Sequence, residues 1–458
     1  MKVGFITLGC DKNTVDTERY LAELADVGGE YTRELDQADV IIVNTCGFID
    51  AAKKESIDAM IEAAGYKSRG ACQAVVGVGC MIERHKEELI DALPEVDLFL
   101  GASESGRLAQ ELADRGIIGG DPVALHPGVR MYTGDLPHVR YLKISEGCDH
   151  GCAFCAIPLM RGKHRSFARD DVIREAQLLE LQGARELNLV AQDLAHYGRD
   201  IRDGVRLPEL LESLISETSI PWIRMLYLYS QGVTPRLLEV VARESRILPY
   251  LDMPMQHASD AVLARMRRPE RQRTIRDRVA QFRAAVPDVA IRTTCIVGVP
   301  GETDDDFEQL MGFLEEIQFD RVGAFTYSPQ EGTRAAQMVD DVPETLKRER
   351  LERLTELQRL ITADRYEART GKVVRAIVDR VENGVTTGRL PWQADDIDGV
   401  TCFDATLAPG EFADVAVQEV VDDYDFRATV VNRIAALPVA RRATRSLPLV
   451  SSMTAYGR

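Results

Sequence analysis

Short runs rich in Val and Ile alternate with helical patterns through most of this sequence, and no other feature constrains the fold as much. "VGFITLGC" precedes "NTVDTERYLAELADVGG", "DVIIVNTC" precedes "GFIDAAKKESIDAMIEAAG", and "AVVGVGC" precedes "MIERHKEELIDAL". Strands that return through a helix form βαβ units, so residues 1–115 are expected to form a parallel, doubly wound α/β domain. "GIIGGDPVALHPG" marks a linker over 116–136. The alternation then restarts with six strand candidates: "VRYLKIS", "ELNLVAQD", "WIRMLYLY", "YLDMPMQ", "AIRTTCIVG" and "RVGAFTYSP". Six βα units are too few to close an eight-stranded barrel. The expectation is an open partial (β/α)6 barrel over 137–342 whose side admits a large substrate.

The remainder changes character. "ETLKRERLERLTELQRL" reads as a solvated connecting helix over 343–370. From 371 to 434, "VVRAIVDRV", "DATLA" and "FADVAVQEVV" are separated by Gly, Asn and Pro turns, which predicts a small all-β barrel. The Arg- and Ser-rich residues 435–458 lack periodicity and are expected to be disordered.

"SEGCDHGCAFC" places Cys148, Cys152 and Cys155 in a C-x3-C-x2-C spacing directly after the first barrel strand, where barrel enzymes assemble their chemistry. Three thiolates suit a [4Fe–4S] cluster with one iron free for a small molecule. The alternative is zinc with a distant fourth ligand, His150 or His164, although no second cysteine pair comes after them. The spacing, with Phe154 before the last cysteine, resembles the radical S-adenosylmethionine superfamily. That resemblance implies that the open iron chelates S-adenosylmethionine, whose one-electron cleavage yields a 5′-deoxyadenosyl radical.

Cys10, Cys46 and Cys80 are 36 and 34 residues apart, and each ends a strand run and precedes a helix. Strand carboxyl ends of a parallel sheet meet along one crevice, so the three thiols should converge at helix N-termini that favour thiolates. A second [4Fe–4S] cluster is expected there, against the alternative of three buried structural thiols. Cys72, Cys295 and Cys402 fit neither set and read as ordinary buried or half-buried thiols. Nine cysteines, no membrane-length apolar run and no signal peptide suit a cytoplasmic chain.

Together these modules resemble the methylthiotransferases, whose last module is called TRAM. "LGCDKNTVDTE", "NTCGFIDAAKKESI" and "MPMQHASD" are similar to the branch that modifies an aspartate of ribosomal protein S-twelve (RimO-type), rather than the tRNA adenosine branch (MiaB-type). "CAIPLMRGKHRS" suits both; Ser230 and Gln330 depart from the usual residues. The charge bears on the choice. The chain carries 56 Lys and Arg against 73 Asp and Glu, net −17, and residues 371–430 carry 5 against 12. An RNA-binding barrel should be basic, whereas an acidic one suits a basic protein. A non-catalytic iron–sulfur carrier is a more distant alternative.

The resemblance implies a transferase that attaches a methylthio group to the aspartate β-carbon, an unactivated position that requires a radical. The Cys148/Cys152/Cys155 cluster would cleave S-adenosylmethionine, the Cys10/Cys46/Cys80 cluster would deliver sulfur, and a second S-adenosylmethionine would supply the methyl group. Implied partners are ribosomal protein S-twelve, free or in the small subunit, a one-electron reductant such as flavodoxin or ferredoxin, and a sulfur donor. The chain is expected to act as a monomer with no membrane. No catalytic residue is assigned beyond the cluster ligands. Phe154, Gln192, Asp193, Gln256 and His257 lie at the expected rim and are candidates for S-adenosylmethionine or substrate contacts, against ordinary loop hydrogen bonding. Gly298 either lets backbone approach a ligand or serves a strand-to-helix turn with Thr303 as N-cap.

Overall fold

The computed structural model describes residues 1–434 apart from residues 120, 121, 124, 126 and 127. The expectation of disorder over 435–458 lies outside the described residues. The first segment comprises β1 (Lys2–Thr7), α1 (Asp11–Asp26), β2 (Glu30–Thr32), β3 (Val40–Thr45), α2 (Asp50–Arg69), β4 (Ala74–Gly79), α3 (Cys80–Ala92), β5 (Leu98–Gly101) and α4 (Leu108–Asp114). Its sheet is parallel in the order β2-β1-β3-β4-β5. β3 and β4 are buried along their full length because helices cover both faces. Ile41, Val43 and Val75 meet Met60, Ile82 and Leu89 on one side. Val40, Ile42 and Val76 meet Tyr20, Leu24 and Leu108 on the other.

The central segment runs through β6 (Val139–Lys143), β7 (Ser145–Glu146), α5 (Ile157–Arg161), β8 (Arg165–Ser166), α6 (Arg169–Leu181), β9 (Glu186–Val190), α7 (Leu207–Glu217), β10 (Trp222–Met225), α8 (Pro235–Arg243), β11 (Ile247–Asp252), α9 (Asp260–Arg265), α10 (Gln272–Ala285), β12 (Ala290–Val297), α11 (Asp304–Ile317) and β13 (Arg321–Thr326). Six of these strands form a parallel sheet in the order β13-β12-β11-β10-β9-β6, which stays open at β13 and β6. This is the expected partial barrel. Leu187, Leu189, Ile223 and Leu251 pack outward against Leu179, Leu210, Leu237 and Phe282 of the helices.

α12 (Glu344–Glu367) comes next, then β14 (Val373–Glu382), β15 (Val385–Arg389), β16 (Thr401–Phe403), β17 (Phe412–Val421) and β18 (Asp425–Ile434). These last strands pair in the order β14-β15-β16-β18-β17, and β17 returns to β14. α12 is more than the solvated connector expected of it. Lys347, Arg350, Leu354, Gln358, Ile361 and Tyr366 form a buried helical stripe. Arg350 pairs with Glu302 at 2.9 Å and Arg369 with Asp320 at 2.7 Å. No helix among the described residues is long and apolar enough to cross a membrane.

Candidate active site

β1, β3 and β4 are neighbours in the first sheet, so the loops leaving their carboxyl ends lie side by side. Cys10 is the N-cap residue of α1, Cys46 comes directly after β3, and Cys80 is the first residue of α3. The loops press closely: a Cβ on Gly9, which has φ +93°, would stand 3.1 Å from Cys46 Sγ. Asn13 ties the loops, donating from Nδ2 to Leu8 O at 2.7 Å and to Thr45 O at 3.1 Å. Its Oδ1 lies 3.8 Å from Cys80 Sγ.

The second set sits on the loop between β7 and α5. Cys148 N–H donates to Gly162 O at 3.1 Å, Ala153 N–H to Met266 O at 2.8 Å, and Ile157 N–H points to Cys155 Sγ at 3.5 Å. These bonds wrap the three cysteines into one compact turn. Burial pushes the Cys148 thiol up to about 11 and the Cys155 and Cys80 thiols up to about 12. It raises Cys46 as well. Metal binding must therefore displace protons from these buried thiols.

α5 joins the two sets. Ala156 and Met160 pack against Cys80. Arg161, at the end of the helix, donates from Nε to Cys80 Sγ at 3.0 Å and from Nη2 to Asn13 Oδ1. Its Nη1 pairs with Asp16 at 2.6 Å and with Glu146 at 3.3 Å. Lys143 closes the network on Asp16 at 2.5 Å and Glu146 at 2.6 Å. At the other set, Arg268 reaches Cys152 Sγ at 3.8 Å and lies 4.0 Å over the Tyr229 ring, held by Glu270 at 3.1 Å. Each cysteine set thus has one guanidinium against a sulfur, the polarity a thiolate-bound cluster needs. Further ties run from Arg84 to Glu331 O at 2.8 Å and from Gln330 to Asp50 at 3.3 Å.

The other candidates divide. Gln192 donates to Glu146 at 3.0 Å, and its Oε1 is buried without a partner among the described residues. Gln256 adopts φ +73°, and its Oε1 is likewise unpartnered. Both suit a polar ligand. Asp193 is committed to His150 at 2.8 Å and to the Ala195 and Tyr229 amides at 2.9 and 3.2 Å. Phe154 packs beside Ala153, Met266 and Tyr327.

His257 is fully buried, accepts from Ser259 N–H at 3.0 Å, and is held down at about 3 by burial. It lies beneath the rim as a neutral ring. Gly298 serves the turn: Thr303 caps α11, and a Cβ on Gly298 would meet Lys347 Cγ at 2.3 Å. The histidines weighed as zinc ligands have other partners, since His150 stacks on Tyr229 at 4.0 Å and His164 bonds Ser166 at 3.0 Å. His150, Asp193 and His196 do bring ligand atoms within 4.8 Å of one another. Cys72 and Cys295 are buried away from both sets, as expected of packing thiols.

Asn13, Asp16, Lys143, Glu146, Arg161 and Arg268 were not anticipated from the sequence. The available signal was polarity out of place: Asn13 and Asp16 on the first turns of α1, and Lys143 and Glu146 on the two short strands that lead into the cysteine loop.

An open parallel sheet bearing a three-cysteine loop, faced by an α/β layer with three cysteines of its own, defines an enzyme of the radical S-adenosylmethionine class. Residues 142–314 match the radical SAM superfamily, residues 370–431 the TRAM domain, and residues 2–101 an uncharacterized protein family, UPF0004. The chain is 45% identical over 450 residues to the ribosomal protein uS12 methylthiotransferase RimO of Anaeromyxobacter sp. (strain Fw109-5), covering 96% of this chain and 94% of that one. It is 40% identical to the protein of that description in Symbiobacterium thermophilum, covering 98% and 95%. Against the one in Flavobacterium johnsoniae the identity is 42%, covering 92% and 96%. The chain belongs to this RimO family of methylthiotransferases. Its fold is similar to that of the radical S-adenosylmethionine methyltransferase TsrM from Kitasatospora setae, with TM-score 0.53 at 12% identity, covering 70% of this chain and 72% of that one.

Proposed function

We propose that this protein is an enzyme that methylthiolates the β-carbon of an aspartate in ribosomal protein uS12, with two [4Fe–4S] clusters and S-adenosylmethionine. The observation that carries the reading is α5, which starts at one cysteine set and ends with Arg161 against the other. Cys148, Cys152 and Cys155 would hold the cluster that binds S-adenosylmethionine, and Cys10, Cys46 and Cys80 the auxiliary cluster. Three thiols in each place, with a charged donor on one sulfur, fit such clusters. When bound, these groups supply the electron transfer, the hydrogen abstraction, and the sulfur and methyl groups.

The chain's own residues position and insulate. Arg161 and Arg268 offset negative charge on the thiolates, and Gln192 and Gln256 offer unpartnered buried oxygens to S-adenosylmethionine or substrate. The functional units are residues 1–115 for the auxiliary cluster, 137–342 for radical formation and 371–434 for docking the substrate protein. The enzyme works in the cytoplasm as a monomer, fed by a flavodoxin- or ferredoxin-like reductant and a sulfur donor. The acidic last module, 5 basic against 12 acidic residues over 371–430, favours a basic protein over tRNA.

The test is anaerobic incubation of reconstituted enzyme with S-adenosylmethionine and dithionite, offering uS12 and unmodified tRNA in parallel. Mass spectrometry should find one added methylthio group on uS12; product on tRNA alone would overturn the reading. Cys10→Ala and Cys148→Ala should each remove one cluster's worth of iron and leave the other.

A further inference from the structure

The two edges of the open central sheet differ. β6 is covered: Arg130 of the linker donates to Tyr141 O at 2.8 Å, and Lys143 reaches Asp16 of α1 at 2.5 Å. β13 is bare. Arg292 and Ile296 of β12 turn their backbone groups toward β11, since Met253 N–H meets Arg292 O and Ile296 N–H meets Gln256 O, both at 2.8 Å. The alternate residues of β12 serve β13, where Tyr327 N–H reaches Val297 O at 2.8 Å. Counting back in twos from Tyr327 along an unbroken register, Phe325, Gly323 and Arg321 bond to β12. Val322, Ala324 and Thr326 therefore point their N–H and C=O groups out of the sheet, with no hydrogen-bond partner among the described residues. Such edges are ordinarily blunted by Lys, Pro or a bulge. β13 has none of these, and its one charge, Arg321, is turned onto Asp398 at 3.3 Å and onto the Tyr424 ring, 3.7 Å from its centroid.

Side chains sort the two faces of this edge. Val322 and Ala324 pack on the core that α12 shares. Arg321, Gly323 and Phe325 face the other way: a Cβ on Gly323 would stand 3.3 Å from Arg292 Nη2, and Phe325 is 53% exposed. An aromatic standing free beside a glycine leaves room for the side chains of an added strand to pack. Both ends of the edge lead to functional parts of the molecule. The carboxyl end runs into Tyr327, which packs with Ala153 and Phe154 of the cysteine loop, and Gln330 just beyond bonds Asp50 of the first segment at 3.3 Å. The amino end meets the acidic last module, where Ile397 O accepts from Arg321 at 2.9 Å and Asp396, Ile397 and Asp422 are exposed.

We infer that an extended segment of the substrate protein adds to β13 as a further strand, bonding to the backbone of Val322, Ala324 and Thr326 beside Phe325, and so carries its aspartate toward the cysteine loop. The inference rests on the reading of the protein as a uS12 aspartate methylthiotransferase. Main-chain pairing gives affinity and fixes a register in which a slip of one residue would turn every side chain to the other face. That is the positioning a reaction at a single β-carbon needs. The acidic residues at the amino end of the edge complement a basic protein, and a tRNA has no strand to offer.

The test is amide hydrogen exchange at single-residue resolution on the reconstituted enzyme with S-adenosylmethionine, in the presence and absence of uS12. Binding should slow exchange at Val322, Ala324 and Thr326 by about tenfold or more, and change Arg321, Gly323 and Phe325, already bonded to β12, far less. Ala324→Pro removes one outward N–H and none of the bonds to β12; Phe325→Ser removes the exposed ring. Each should weaken equilibrium binding of uS12 by about tenfold, with iron content unchanged as the guard against a folding defect. Protection confined to the last module overturns the inference, and so does undiminished binding by both variants. Equal slowing at β13 with unmodified tRNA in place of uS12 would also overturn it, because the edge would then report occupancy without pairing. If wild-type enzyme forms no product on uS12, the functional reading falls and this inference with it; product on uS12 with β13 unprotected removes this inference alone.

Discussion

At the scale of single residues, backbone geometry decides matters that residue type leaves open. Gly298 illustrates this: from the sequence, a glycine after a barrel strand suits either a ligand or a turn. The structure shows φ +74°, an N–H donated to Glu302 at 2.8 Å, and Lys347 of α12 filling the space a side chain would need. Gly298→Ala should therefore destabilise the protein by about 2 kcal/mol or more, from the left-handed φ and the clash together. Urea denaturation measures it, and adding Lys347→Ala should recover the steric part while the backbone strain remains. A neutral Gly298→Ala would mean the helix does not press on this turn. Lys12 shows the limit from the other side. Its position beside Cys10 is legible, but its seat 3.1 Å from the centroid of the Tyr227 ring is not, because spacing does not reveal a contact between two domains.

Among the elements, the strand-end placement of Cys10, Cys46 and Cys80 was legible because a parallel sheet allows few other arrangements: apolar runs that end together bring their succeeding loops together. α12 was not legible in the same way. Its Arg, Lys and Gln residues have the composition of a solvated helix, yet a stripe of them is buried. Their stems pack and Arg350 finds Glu302, while the half-buried Arg365 and, just past the end of the helix, Arg369 both reach Asp320. Asp320 is 1% exposed and also accepts Ile291 N–H at 2.9 Å. Replacing it strands the buried Arg369 guanidinium. Asp320→Ala should cost about 3–5 kcal/mol and accelerate hydrogen exchange along Glu344–Glu367. Unchanged exchange there would show that the helix is held by its apolar contacts alone.

For the whole molecule, the question is how an open sheet with a polar inner face is kept from collapsing or filling with water. The last module answers it by inserting the stretch Leu390–Asp398. Tyr141 donates to Asp395 at 2.5 Å, Asn188 to Asp395 at 2.7 Å, and Tyr250 to Asp398 at 2.5 Å. Glu186 is bracketed by Arg224 at 2.9 Å and Arg389 at 2.7 Å. The partners of Asp395 and Asp398 are some 150 to 250 residues away in sequence, and each alone looks like a surface residue, so the docking could not be read in advance. It has a pH signature. Burial, opposed by Arg389 and reinforced by Glu186, pushes the Asp395 carboxyl from 3.8 up to about 6. Below about pH 4 it is protonated whether the chain is folded or not. Between about pH 4 and 6 only the unfolded chain releases the proton, so stability falls as pH rises, and above 6 the loss is complete. The span is worth about 3 kcal/mol. Asp395→Asn removes this titration and keeps a side chain that can accept from Tyr141. Stability measured at intervals from pH 4 to 7 should therefore favour the wild type over Asp395→Asn at the acid end and shift toward the variant by about 3 kcal/mol at neutrality. Parallel curves would show that the inserted carboxyl ionises as freely in the assembled molecule as in the unfolded chain.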